Sequence, residues 1–250
     1  MAALACRFLG DLPTLLTVPH DRGLVSRPLG RRTSVKDLIE AYGVPHTEVA
    51  ALTINGQESG FAALLRDGDA VMVAPVQSPD DFFRPGCLRP ALAAKPGFLV
   101  DINVGQLARQ LRLLGLDALY DPRAGDEELA AQAAASGRVL LTRDRRLLKR
   151  KGVVFGRLIR AGAPEEQLLE VVRLFGLEEH FQPLSRCLRC NALLQPVAKE
   201  AIEHRLLPLT RLYYHSFRRC PACDRLYWAG SHQEGMRRFL AGLQGRLARP

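Results

Sequence analysis

Four cysteines in two Cys-x-x-Cys pairs, Cys187 with Cys190 and Cys220 with Cys223, constrain this chain more than any other feature. Each pair sets two sulfur ligands on one tight turn, and two such turns complete the tetrahedron that zinc prefers. Residues 191–219 separate the pairs, a spacer somewhat longer than usual that an inserted strand can absorb. Four thiolates close the shell and leave no position for a reactive water, so the expected zinc ion is structural. His204, His215 and His232 lie in the same stretch as alternative or additional donors. Cys6 and Cys87 have no neighbouring partner in the sequence. Met1–Gly10 lacks the charged and apolar regions of a secretory signal, and no run approaches the roughly 18 apolar residues of a membrane span. A cytoplasmic protein is therefore expected. There a reducing environment favours metal binding over disulfides.

The chain divides by composition and periodicity. Residues 1–76 read as strand, strand, helix, strand, strand: Cys6–Leu9, Thr14–Val18, a helix opened by Ser34 with Asp37 at its third position, then Val49–Ile54 and Ala70–Ala74. Asn55-Gly56 marks a turn. This order is that of a β-grasp domain, and Ile54–Gln57 and Asp67–Val71 resemble the ubiquitin-like sulfur carriers. Those carriers end in Gly-Gly, whereas here Val73–Gln77 runs on, so a docking domain for a protein partner is expected instead of a carrier. Residues 77–96 hold Pro79, Pro85, Pro90 and Pro96 and have the composition of a linker.

From Gly97 to about residue 184, short apolar strands alternate with amphipathic helices. The strands are Phe98–Val100, Leu116–Tyr120, Arg138–Thr142 and Val153–Ile159. The helices follow Asp101, cover Glu127–Ser136 with Asp126 as N-cap, and run from Pro164 to Phe175. Such alternation implies an α/β fold, a parallel sheet with helices on both faces. Residues 185–250 are expected to form the zinc ribbon and a C-terminal helix.

Ligands of an open parallel sheet gather at the carboxyl ends of its strands. Asp101 follows the first strand directly, Asp144 lies two residues beyond Thr142, and Asp126 begins the helix that leads into the third strand. Carboxylate oxygens suit Mg²⁺ or Mn²⁺, which activate water and neutralise charge on a phosphodiester. Asp126 and Asp144 also have a plainer reading as helix caps, whereas an aspartate that abuts a buried apolar strand, as Asp101 does, usually has a purpose. Arg143, Arg145, Arg146, Lys149, Arg150 and Lys151 crowd around Asp144, and Arg109 and Arg112 are expected on the polar face of the helix after Asp101. They are either phosphate contacts or a solvated face. The net charge of +9 and pI near 9.6 favour a polyanionic partner.

The ordered stretches Asp101–Gly115, Asp126–Leu129, Gly137–Asp144, Arg186–Asn191, Cys220–Cys223 and Tyr227–His232 resemble the Mut-seven C-terminal RNase family, a branch of the PIN-like nucleases. Members of that family also occur with a ubiquitin-like domain in front. The resemblance implies a PIN-like fold, cleavage of single-stranded RNA at a divalent-metal site, and Asp101, Asp126 and Asp144 as its acids. Many such nucleases carry a fourth acid after the next strand. Here that segment reads Leu158-Ile159-Arg160-Ala161-Gly162-Ala163, with no acid before Glu165. The alternative is a catalytically inactive PIN-like protein that binds RNA or serves as an adaptor. Tyr213, Tyr214, Phe217, Tyr227 and Trp228 are either base-stacking groups or the core of a small ribbon.

Overall fold

Buried Leu4, Cys6 and Phe8 alternate with outward residues along the first strand, β1 (Leu4–Phe8), and so lay one face of a sheet over an apolar core. The computed structural model describes residues 3–228 and 231–247, and for 231–237 the backbone alone. It divides into two units, residues 1–104 with 120–160 and residues 105–119 with 161–250.

In the first unit, β1 is followed by a 3₁₀ turn over Leu12–Leu15 and by β2 (Leu24–Arg27). Helix α1 (Val35–Ala41) begins at Ser34, whose hydroxyl accepts from the Asp37 N–H. Strands β3 (Val49–Ile54), β4 (Gln57–Glu58) and β5 (Ala70–Pro75) complete a five-stranded sheet in the order β2-β1-β5-β3-β4. The central pair is parallel, with Cys6 opposite Val71 and Phe8 opposite Val73, and the other pairs are antiparallel. This is the β-grasp arrangement expected of residues 1–76. Asn55 and Gly56 both take positive φ, as the turn between β3 and β4 requires.

The second strand differs from expectation. Thr14–Val18 is not a strand; Pro13 lies in the 3₁₀ turn and Pro19 follows, so the segment after β1 pairs back onto it at Leu24–Arg27. Cys6 is fully buried, and desolvation pushes its thiol up to about 12. It packs as a small apolar side chain.

The segment of linker composition is ordered. Helix α2 (Asp80–Phe83) is held at its start by Asp81, whose carboxylate accepts from Gln77 N and Ser78 N at 2.7 and 2.9 Å. Phe82 is buried, and the Arg89 guanidinium lies 5.6 Å from its ring centroid. The same guanidinium donates to the carbonyls of His46, Thr47 and Val49.

Strand β6 (Phe98–Val100) ends at Asp101. Helix α3 (Gly105–Leu113) and the short strand β7 (Ala118–Leu119) belong to the second unit, and the first resumes with α4 (Asp126–Ser136), β8 (Val139–Thr142), α5 (Arg145–Leu148) and β9 (Gly156–Leu158). Strands β6, β8 and β9 run parallel in that order, with Val100 opposite Leu141 and Thr142 opposite Leu158. Part of their apolar surface packs against the β-grasp part. Leu99, Leu140, Leu147, Leu148, Val153 and Leu158 join one cluster with Leu15, Ile39, Val44 and Val49 of the β-grasp part.

A polar cluster crosses the same boundary. Glu48 is completely buried; it accepts from Leu158 N and from Arg157 Nη1, both at 2.8 Å. Burial pushes its carboxyl up, against the opposing pull of Arg157, the Leu158 N–H and Arg160.

In the second unit, α3 ends at Gly115. That residue has φ +84°, and a Cβ there would lie 2.2 Å from the Gln182 carbonyl oxygen, so only glycine fits. Helix α6 (Pro164–Phe175) has Pro164 at its start and Gly176 as a left-handed cap, and it packs on α3. The segment between the cysteine pairs holds β10 (Gln195–Val197), the short helices α7 (Lys199–Ile202) and α8 (Pro208–Tyr213), and β11 (Phe217–Arg219). Strand β12 (Leu226–Trp228) completes an antiparallel ribbon in the order β10-β11-β12, and α9 (Ser231–Leu247) closes the chain. The whole is a mixed α/β fold: a parallel sheet flanked by helices, a β-grasp domain before it and a cysteine cluster after it. Among the described residues no helix is long and apolar enough to cross a membrane.

Candidate active site and metal centre

Asp101 leaves the end of β6 with its carboxylate inside the protein, 5% exposed. A buried charge needs several donors, and it has three. The Ile102 N–H donates to Oδ1 at 2.6 Å, while Asn103 Nδ2 and the Thr142 hydroxyl each donate to Oδ2 at 2.6 Å. Asn103 makes a second bridge, its Oδ1 accepting from Arg143 N at 3.0 Å. Thr142, at the end of β8, also accepts from the Asp144 N–H at 2.9 Å. One hydroxyl therefore ties Asp101 to the turn that carries Asp144.

Asp144 itself caps α5, its Oδ1 accepting from Arg146 N at 2.7 Å. That helix is one turn long. Asp126 is the first residue of α4 and Gly125 is the N-cap, a correction of one position. Its carboxylate is half exposed and lies 3.6 Å from Arg150 Nη2. Glu127, on the same turn, is 3.7 Å from Arg150 Nη1.

The oxygen chemistry of these acids suits a hard divalent cation, but their spacing does not make a ready cage. Among the described residues, only the four cysteines form a group of three or more metal-ligating side chains whose ligand atoms lie within 4.8 Å of one another. Asp101 is committed to internal donors and Asp126 to Arg150.

The basic residues divide more sharply than the sequence suggested. Arg143 and Arg146 are exposed at the acid edge. Arg145 donates from Nη1 to the Leu15 carbonyl at 2.9 Å, and Lys149 donates to the Glu40 carbonyl at 2.6 Å. In the second unit, Arg109 is exposed beside an open groove that includes Gln106, Gln110, Leu188 and Phe239. Arg112, expected on the same polar face, is instead buried at 4% exposure. Its Nε donates to the Ala118 carbonyl at 2.8 Å and its Nη1 to the carbonyls of Leu188 and Arg189 at 3.2 and 2.8 Å. The helical period places Arg112 near the apolar stripe of Leu107, Ala108 and Leu111, and the first cysteine turn covers it.

The two cysteine turns are built alike. Cys187 N donates to the Ala192 carbonyl and Cys220 N to that of Arg225, the same offset in each turn. Asn191 N and Asp224 N return to the carbonyls of Cys187 and Cys220, and both residues take positive φ. The sulfurs of Cys187 and Cys223 are 3.5 Å apart and those of Cys190 and Cys220 are 3.4 Å apart. Four ligands at about 2.3 Å from a tetrahedral zinc would stand roughly 3.8 Å from one another, so the set fits that ion with little adjustment.

The surroundings are already arranged for thiolates. Tyr227 Oη lies 3.1 Å from Cys187 Sγ and accepts from Leu188 N at 3.1 Å. Burial alone would raise the Cys187 thiol, but hydrogen bonds from Tyr227 and the N–H groups of Cys190 and Arg189 outweigh it and bring it to about 6. Cys190 is pushed up to about 12 by burial and by the sulfurs of Cys220 and Cys187. The Cys223 thiol is pushed up as well, by burial and by the sulfurs of Cys187 and Cys220.

The first turn is pinned from outside as well. Asn191 accepts from Ala118 N at 3.1 Å and donates to Asp117 Oδ1 at 2.7 Å, while Arg186 Nη2 lies 3.3 Å from Asp117 Oδ2. Phe217 is buried and Tyr227 serves the sulfurs, so both belong to the ribbon's interior, whereas Tyr213 is exposed on α8. The His232 side chain lies outside the described residues.

Asn103 and Thr142 are the site residues that sequence reasoning did not single out. Their signal is local: a polar amide two residues after Asp101, and a hydroxyl ending a wholly apolar strand.

A family model described as the Mut7-C RNAse domain matches residues 96–240, and one described as Mut7-C ubiquitin matches residues 1–81. Neither a curated protein nor a solved structure matches the chain.

Proposed function

The chain belongs to the Mut7-C RNAse domain family, and from that premise we propose that it cleaves single-stranded RNA at the carboxyl edge of β6, β8 and β9. The observation that carries the reading is Asp101, a carboxylate buried at a strand end and held by Asn103 and Thr142, with Asp144 one hydroxyl away. Groups fixed this firmly lose little freedom when a substrate arrives, which is how preorganised sites lower a barrier. Asp144 and Asp126 are the further acids of the proposed site, and Mg²⁺ or Mn²⁺ is its proposed requirement. Exposed Arg143 and Arg146 on the first unit, and Arg109 on the second, are the proposed phosphate contacts. Arg145 takes the same role with one donor already spent on Leu15. Arg112 has no part in it.

Zinc in the four-cysteine site is proposed as structural, with no open position for substrate. A cytoplasmic setting suits four free thiols. The ubiquitin-like domain is read as a protein-interaction domain as well.

The experiment is single-stranded RNA with the pure protein and Mn²⁺, wild type against Asp101→Asn. Cleavage by the wild type, abolished by EDTA and by the substitution, is the expected result. Equal cleavage by both proteins would assign the activity to a contaminant. One observation favours a second reading, an RNA-binding protein without catalysis: the three acids are not gathered as ligands, and Arg160 stands where the chain leaves β9. Retained RNA binding without cleavage of several RNAs would select it.

A further inference from the structure

Helix α3 has a second face besides its buried stripe. Gln106, Arg109 and Leu113 recur at intervals of three and four, so they lie along one side of the helix, away from Leu107, Ala108 and Leu111. The first cysteine turn and α9 supply the facing walls. Arg112 holds that turn against α3 through the carbonyls of Leu188 and Arg189, and the Leu188 side chain is left half-buried on the groove. From α9 comes Phe239, also half-buried. The groove they line holds about 600 Å³, within the size range of small-molecule sites.

Its polar groups are uncommitted. The Gln106 amide and the Arg109 guanidinium are exposed and meet no partner among the described residues. Arg189 follows Leu188 on the cysteine turn, and Arg238 precedes Phe239 on α9. Both are exposed, and their guanidinium groups are equally without a partner among the described residues. Glu165 is the one acid among the described lining residues, and Arg246 stands 4.0 Å from it.

These groups complement a nucleotide. Aromatic and aliphatic walls suit the faces of a planar ring, and an amide offers a donor and an acceptor to the edge of a base. Free guanidinium groups take phosphate oxygens. A base within a duplex has its edge paired and its faces stacked, so only an unpaired base presents both.

We propose that this groove binds one unpaired base of an RNA strand, stacked on Phe239 and hydrogen-bonded at its edge by Gln106, while Arg109 holds the adjoining phosphate. The second unit then recognises a single strand through a base as well as through charge. The groove takes this role only if the chain acts on single-stranded RNA.

The test is the binding of a labelled oligoadenylate to the full chain, followed by anisotropy across a salt series and repeated with an abasic strand of equal length. The wild type should bind the abasic strand at least about tenfold more weakly. Phe239→Leu keeps an apolar wall and removes the ring; it should lose about tenfold for oligoadenylate at every salt concentration. Phe239→Tyr restores the ring and should bind as the wild type does. Gln106→Ala should lose several-fold. Neither Phe239→Leu nor Gln106→Ala should change binding of the abasic strand. Arg109→Gln should weaken both strands and lower the slope of log affinity against log salt by about 0.7, one phosphate on a single strand.

Equal losses on both strands would make Phe239 and Gln106 structural and overturn the inference. So would unchanged binding by these variants where the wild type binds. An abasic strand bound as tightly as the intact one would mark a surface for any polyanion, with the same consequence. Failure of the wild type to bind either strand would overturn the RNA reading itself, and this inference with it.

Discussion

Arg109 and Arg112 stand one turn apart on the same helix, and the structure gives them opposite fates. The decisive perturbation is Arg112→Lys, which keeps the positive charge and most of the apolar stem. The guanidinium reaches the carbonyls of Ala118, Leu188 and Arg189 from Nε and Nη1. A lysine ammonium is a single point and cannot span the fork, so at least one of these buried carbonyls and most of the charge-assisted bonding are lost. At about 1.5–3 kcal/mol for each bond to a charged group, losing one or two costs about 3 kcal/mol. That cost falls on the turn carrying Cys187 and Cys190. It corresponds to roughly a hundredfold shift in the local opening equilibrium.

The assay is the rate of zinc transfer from the loaded protein to a chromophoric chelator, with amide exchange of residues 187–191 measured in parallel. Arg112→Lys should accelerate both about a hundredfold, and Arg109→Lys neither. The reasoning fails if Arg112→Lys leaves zinc transfer unchanged while weakening RNA binding, because that outcome returns Arg112 to the exposed polar face.

Two further outcomes follow from named contacts. Tyr227→Phe removes the hydroxyl that meets Cys187 Sγ and leaves Leu188 N without its acceptor. Zinc affinity should fall about 10- to 100-fold, and the deficit should widen as pH falls, since Cys187 loses the bond that lowers it to about 6; a competition titration reads both. For Glu48, burial raises the folded-state carboxyl above its ordinary value of 4.5. The folded chain then holds this proton more tightly than the unfolded one. The group's stabilisation is full below the unfolded value and is lost as pH rises through the folded one. Thermal midpoints of wild type minus Glu48→Gln should decline across that window, and a flat difference would show that the carboxyl does not titrate with folding.

Features set by neighbours in sequence were legible from the sequence. The Cys187–Cys190 and Cys220–Cys223 turns, the Ser34 cap, the Asn55-Gly56 turn and the Pro164–Phe175 helix depend on contacts within a few residues, where spacing and backbone preference decide the outcome. Thr14–Val18 failed because β-branched residues suit a strand only where a neighbouring strand pairs with them, and here the chain takes a 3₁₀ turn over Leu12–Leu15 instead. The position of Asp101 at a strand end was readable; the hydroxyl of Thr142 that joins it to Asp144 was not, since it lies 41 residues away.

The four cysteines therefore specified by themselves a ribbon whose sulfurs could hold a metal ion, and Asp101, Asp126 and Asp144 pointed to an acidic edge. Tertiary structure decided which cations were free to use that edge. Arg112 went inward under the first cysteine turn, one donor of Arg145 and Nη1 of Arg160 were engaged by the β-grasp turn, and Glu48 was sealed against β9. Periodicity tells which face of a helix or strand is apolar. It carries no information about which distant carbonyl or carboxylate will be packed over that face, and for a charged side chain that neighbour determines whether it meets solvent, substrate or the protein's own backbone.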